Sequence, residues 1–120
     1  MSTILLVEDT PANRALATKL LVAAGHEVLT APDAAAGIAV ALDRQPDLVL
    51  MDLGLPDMDG WQALRELRGA PGGASLRVVA FTAHAMLGDR ERALSAGFDG
   101  YLSKPIEFAT FADTVAALMR

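Results

Sequence analysis

PDLVLMDLGLPDMDG, residues Pro46–Gly60, decides the fold. Four consecutive apolar residues run into Asp52, and a loop of Gly, Pro and Asp follows. A run too short for a helix and with no polar alternation fits a strand covered on both faces, the signature of a parallel sheet between helices. We place this strand at Asp47–Met51. Working outward, similar runs mark strands at Thr3–Val7, Glu27–Ala31, Arg77–Phe81 and Gly100–Ser103.

Helical stretches separate the strands. Pro11–Ala24 opens with Thr10 as N-cap and Pro11 as first residue, and Gly25 follows its end. The second helix starts after Asp33 and carries Ala35, Ile38, Ala39 and Leu42 on one face. The third spans Gly60–Arg68, with Trp61, Leu64 and Leu67 as its apolar side. The fourth covers Ala85–Ala96 and stops at Gly97. The last covers Glu107–Met119, with Phe108, Phe111, Ala112, Val115 and Leu118 facing a core. GAPGGAS, Gly69–Ser75, is a loop without periodicity. Strict strand–helix alternation predicts one α/β domain over residues 1–120, with a parallel sheet and helices on both faces.

Composition narrows the function. No cysteine is present, which removes disulfide frameworks, zinc-thiolate sites and cysteine catalysis. The net charge of −5 argues against direct nucleic-acid binding through a basic surface. The first residues, MSTILLVEDT, lack the basic start of a signal peptide. No apolar run reaches the ~20 residues of a membrane span. The expectation is a soluble, cytoplasmic domain.

In an open parallel sheet, ligands bind beyond the carboxyl ends of the strands. Glu8 and Asp9 follow the first strand, Asp52 the third, Thr82 and Ala83 the fourth, and Lys104 and Pro105 the fifth. Two like charges ~4 Å apart repel by on the order of 1 kcal/mol in water and by several times that when partly buried. An acidic rim therefore calls for a cation, and hard oxygen ligands select magnesium or a similar ion. With Lys104 as a fixed positive charge and Thr82 as a neutral donor, these groups suit phosphoryl transfer to a carboxylate.

The ordered set Glu8-Asp9, Asp52, Thr82-Ala83 and Lys104-Pro105 resembles the receiver domain family of two-component systems, over essentially the whole chain. The segment FTAHAMLGDRERALSAGFDGYLSKPI is most similar to stand-alone receivers and to those attached to hybrid kinases. The resemblance implies a flavodoxin-like sheet of order 2-1-3-4-5 with five helices. It implies Asp52 as the phosphorylated residue, in a switch limited to self-directed phosphotransfer and autodephosphorylation. It also implies a magnesium ion, with manganese as a substitute, held by Asp9, Asp52 and the Gly54 carbonyl with Glu8 assisting. Thr82 would be the switch hydroxyl, Lys104 the partner of the phosphoryl group, Tyr101 the rotating aromatic, and Lys104–Pro105 a cis peptide bond. The implied partners are a histidine kinase or histidine phosphotransfer protein, docking near Ala12, Asn13, Leu16 and Pro105-Ile106, and a downstream protein target. The implied state is a monomer, with dimerisation on phosphorylation left open.

Some positions depart from the commoner family pattern. Thr10 stands where Asn is frequent, although Asn13 is retained. Gly54 replaces a longer polar residue, and His84 lies two residues after Thr82. The last two leave the lifetime of an aspartyl phosphate open. So does the chain's end at Arg120 leave open a stand-alone receiver or a domain of something longer.

Plainer readings stand beside these. Glu8-Asp9 could be a helix-entry acid pair, Asp52 a turn former, Thr82 an N-cap, Lys104 a solvated side chain and Tyr101 half-buried packing. His26 reads as a surface turn residue, His84 as partly exposed, and Trp61 and the Phe108/Phe111 pair as packing. Asp57 and Asp59 read as loop-shaping residues, with Asp59-Gly60 ending the loop. A haloacid-dehalogenase-type phosphatase would want a second acid at position 54, where Gly54 stands. A flavodoxin-like cofactor binder would want a phosphate-cradling loop where Glu8-Asp9 stands. A receiver-like binding module that signals without phosphorylation remains an alternative.

Overall fold

The structure, a computed structural model, describes residues 2–83 and 89–119. Five parallel strands, β1 (Thr3–Val7), β2 (Glu27–Ala31), β3 (Leu48–Asp52), β4 (Val78–Thr82) and β5 (Gly100–Ser103), form one sheet of order β2-β1-β3-β4-β5. Between and after them run α1 (Pro11–Ala23), α2 (Ala34–Arg44), α3 (Gly60–Gly69), α4 (Asp89–Ala96) and α5 (Phe111–Leu118). No helix among the described residues is long and apolar enough to cross a membrane.

Strand side chains alternate between two apolar layers, as a period of two requires. Leu5, Val7, Val49, Met51, Val78 and Ala80 face α2, α3 and α4 through Ala34, Ala41, Leu64, Leu67 and Ala93. Ile4, Leu6, Leu48, Leu50, Val79 and Phe81 face α1 and α5 through Ala17, Leu21, Phe111 and Val115. Both faces are therefore dry, which is why β1, β3 and β4 read as unbroken apolar runs. The edge strand β2 is exposed or half-buried at all but its last residue, Ala31.

Several elements differ from their sequence reading. β3 and β4 end one residue later than expected, because Asp52 pairs with Phe81 and Thr82 with Ser103 inside the ladder. α2 turns Ala34, Gly37 and Ala41 inward, keeps Ile38 and Leu42 half-buried against the same core and leaves Ala35 and Ala39 exposed, so the expected face is met only in part. Its run of small apolar residues offers no polar contrast to fix the rotation. Gly37 lies against β1, where an added Cβ would be 2.6 Å and 2.8 Å from the Val7 methyl carbons.

α5 starts at Phe111, not Glu107. A turn comes first, in which the Thr110 and Phe111 N–H groups both donate to the Glu107 carbonyl (3.3 and 2.9 Å). Phe108 therefore stands out in solvent, 67% exposed, while Phe111 is 3% exposed. Thr10 occupies the N-cap of α1 without a side-chain capping bond. His26 is half-buried, not at the surface. Residues 85–88, with which the fourth helix was expected to begin, and His84 lie outside the described residues.

Trp61 joins α3 to α4. Its ring meets Phe98 edge-on (5.6 Å between centroids, 77°), and the Arg92 guanidinium lies 4.6 Å over it. The loop after α3 is tied by Arg68, which donates to the carbonyls of Gly73, Ala74, Leu76 and Gly97 and pairs with Asp99.

Candidate functional site

The crossing from β1 out to β2 and back past β1 to β3 makes the β1/β3 rim the topological switch point. Glu8 and Asp9 leave the end of β1 there, beside the last residue of β3, Asp52. Thr82 ends β4, and Lys104 follows β5 with its backbone N–H donated to the Thr82 carbonyl (2.8 Å). The Lys104–Pro105 peptide bond is cis.

Glu8, Asp52 and Thr82 are buried and Asp9 is exposed. Carboxylate oxygens of Glu8, Asp9 and Asp52 lie within 4.8 Å of one another. Lys104 Nζ reaches in from the other side, 2.5 Å from Glu8 Oε1 and 3.2 Å from Asp52 Oδ2, and 5.0 Å from the Phe81 ring centre. The Gly54 N–H donates to Asp52 Oδ1 (3.0 Å), and Arg14 Nη1 donates to the Glu8 carbonyl (2.8 Å). A Cβ on Gly54 would meet only Asp52 Oδ1, at 3.9 Å, so that approach to the carboxylate is open.

Burial raises the Glu8 pKa, the hydrogen bond shared with Asp52 raises it further, and Lys104 opposes both. Burial also works to raise Asp52, but the Glu8 hydrogen bond, the Gly54 N–H and Lys104 outweigh it and hold Asp52 below the ordinary range. Tyr101, on β5, is pushed up by burial and by the charge of Asp89.

The donor set is all carboxylate oxygen, and with Lys104 as counter-charge it keeps a formal excess of negative charge. That chemistry fits a hard divalent ion such as Mg2+ and not a soft one. Sequence reasoning assembled Glu8, Asp9, Asp52, Gly54, Thr82 and Lys104, and the fold brings these to one rim. It missed two contacts. Asp57 accepts from the N–H groups of Ala34 and Ala35 (2.9 Å each), and Arg14 grips the backbone beside Glu8. Neither has a local signal.

Residues 4–116 match the family model described as "Response regulator receiver domain". The polar-differentiation response regulator DivK of Brucella anthropi is 33% identical over 116 residues, covering 97% of this chain and 94% of that protein. The receiver domain of sensor histidine kinase PA1611 from Pseudomonas aeruginosa is 36% identical, with a TM-score of 0.86 over 98% of this chain and 97% of that one. Its structure has a magnesium ion coordinated in the active-site cleft. Chemotaxis response regulator CheY4 of Vibrio cholerae superposes at a TM-score of 0.90, over 98% of both chains, at 24% identity, which shows the shared fold.

Proposed function

This chain belongs to the response regulator receiver domain family of two-component signalling, and from that premise we propose that Asp52 is its phosphoacceptor. The observation that carries the reading is the buried Asp52 carboxylate at the end of β3, with Glu8 and Asp9 oxygens within 4.8 Å and Lys104 Nζ at 3.2 Å. One carboxylate oxygen attacks phosphorus as the bond from phosphorus to a phosphohistidine nitrogen breaks. The nitrogen's electron pair stays with the imidazole and a new P–O bond forms on Asp52. Hydrolysis later returns inorganic phosphate and the free carboxylate.

Asp9, Asp52 and the Gly54 carbonyl, with Glu8 assisting, hold Mg2+ in this reading, and Mn2+ substitutes. When bound, the ion supplies neutralisation of the phosphoryl oxygens. Lys104 contributes a fixed ammonium to the same charge. Thr82 donates its hydroxyl to the attached phosphoryl group, and Tyr101, paired in register with Ala80, follows the movement of the β4 end. The new charge biases a two-state equilibrium of the face made by α4, β5 and α5.

The donor is a histidine kinase or histidine phosphotransfer protein and the output is a protein target, in the cytoplasm and without direct nucleic-acid contact. Residues 1–120 make one receiver domain, monomeric before phosphorylation and able to dimerise after it. Intact-protein mass spectrometry after incubation with acetyl phosphate tests the site. A magnesium-dependent gain of one phosphoryl group in wild type and none in Asp52→Asn is the expected result. No adduct with acetyl phosphate or with a cognate kinase would remove the assignment of Asp52.

A further inference from the structure

The loop from β3 to α3 carries Gly54, yet Gly54 is exposed and has no side chain to hold it. Its own N–H is donated to Asp52 Oδ1 (3.0 Å), and the rest of the loop is held by anchors to either side. One is the neck of the loop, where the Gly60 N–H donates to the Leu53 carbonyl (3.0 Å). The neck is closed to any side chain, since a Cβ on Gly60 would be 2.7 Å from Leu53 Cα and 2.8 Å from the Asp52 carbonyl oxygen. A second anchor is Leu55, buried in the core. The third is Asp57, whose two oxygens each accept a backbone N–H of α2, from Ala34 and Ala35.

α2 already has an N-cap of its own, because Asp33 Oδ1 accepts from the Ala36 N–H (2.8 Å). The Asp57 bonds are thus more than a local cap. They tie a loop to a helix 22 and 23 positions earlier in the chain. The same turns of α2 press on β1 at Val7, the residue before Glu8, through the close approach of Gly37. The helix start is therefore a common reference for the two halves of the site. Val7 fixes it to the strand that delivers Glu8 and Asp9, and Asp57 fixes it to the loop that delivers Gly54.

We propose that Asp57 is a positioning residue for this site: clamped on the start of α2, it sets the Gly54 peptide against Asp52 and against the Glu8-Asp9 turn. This rests on the reading of Asp9, Asp52 and Gly54 as the cation ligands. A carboxylate suits the task, since an anion at a helix N-terminus gains from the dipole and from charge-assisted bonds.

Mg2+ titration by calorimetry, with thermal melts of the metal-free proteins, tests it on wild type, Asp57→Ala, Asp57→Asn and Asp33→Ala. Asp33→Ala also strips a cap bond from α2 but leaves the loop link intact. Expected is an Mg2+ affinity about tenfold weaker in Asp57→Ala, the scale of losing an outer-sphere partner. Asp57→Asn, which keeps one acceptor, should fall between. Asp33→Ala should lose comparable melting temperature yet bind within about twofold of wild type. Equal affinity in Asp57→Ala and wild type would overturn the proposal, as would equal weakening in Asp33→Ala. Wild type that takes up no Mg2+, or an Asp52→Asn variant that binds as tightly, would overturn the ligand assignment and the proposal with it.

Discussion

Lys104 Nζ stands 3.2 Å from the Asp52 carboxylate although 52 positions separate the two residues, and the same nitrogen is 2.5 Å from Glu8. One ammonium thus serves two buried acids. Removing one partner of a buried ion pair costs about 3 kcal/mol or more, since the other charge is left uncompensated. Lys104→Met should lower the stability of the metal-free protein by about that amount at neutral pH. A divalent cation would then replace the missing charge, so Mg2+ should restore more stability to the variant than it adds to wild type. Urea denaturation with and without Mg2+ reads both terms. Equal Mg2+ increments in the two proteins would rule out a shared electrostatic role for ammonium and cation.

Gly37 and Gly69 make opposite predictions for the same substitution. An added methyl on Gly37 enters the space of Val7, a stiff and fully buried side chain. Overpacking of about 1–3 kcal/mol exceeds the helix gain of about 1 kcal/mol from Gly to Ala, so Gly37→Ala should destabilise. Gly69, in the last turn of α3, has nothing within 4 Å of the new carbon. Gly69→Ala should stabilise by about 0.5 kcal/mol. Thermal melts that moved in the same direction for both would contradict the packing described.

Phe108 and Phe111 check where α5 begins. Phe111→Ala, in the layer with Phe81 and Val115, should cost about 3 kcal/mol or more. Phe108→Ser, on the exposed turn, should change stability by less than about 0.5 kcal/mol. A large loss from Phe108→Ser would restore the longer helix expected from the periodicity.

Asp57 gives a pH signature. The Ala34 and Ala35 N–H groups bond its ionised form and hold its pKa below the ordinary 3.8. A depressed carboxylate contributes stability that is fully present above the unfolded-state value and is lost as pH falls through the folded-state one. The stability difference between wild type and Asp57→Ala should therefore be constant from neutral pH down to about pH 5. It should shrink below about pH 4. A difference unchanged down to pH ~2 would mean that charge on Asp57 is not what holds the loop.

Most of the fold was legible because a polar residue, or Pro32 after β2, ended each apolar run. β1, β2 and β5 have the limits read from sequence, whereas Asp52 and Thr82 look like loop residues yet keep their places in the ladder. The face of α2 was read only in part from a run of Ala, Gly, Ile and Val: Ile38 and Leu42 do meet the core, but Gly37 and not Ala35 or Ala39 lies closest to β1, against Val7. The start of α5 was misplaced because Phe108 keeps helical spacing from Phe111 and Val115 while the chain is still in a turn. In the site, strand ends alone were enough to assemble the acids and Lys104. The Asp57 clamp was invisible, since a bond across 23 positions leaves no periodic trace.

Trp61 is the chain's one tryptophan, and it lies at the seam of α3 and α4 under the Arg92 guanidinium. Indole emission depends on the charge and the solvent next to the ring. Any sliding of α4 that lifted Arg92 off that ring would change the brightness and colour of the protein's own fluorescence. The molecule thus carries a built-in optical gauge of helix displacement, readable in a cuvette without attaching a dye.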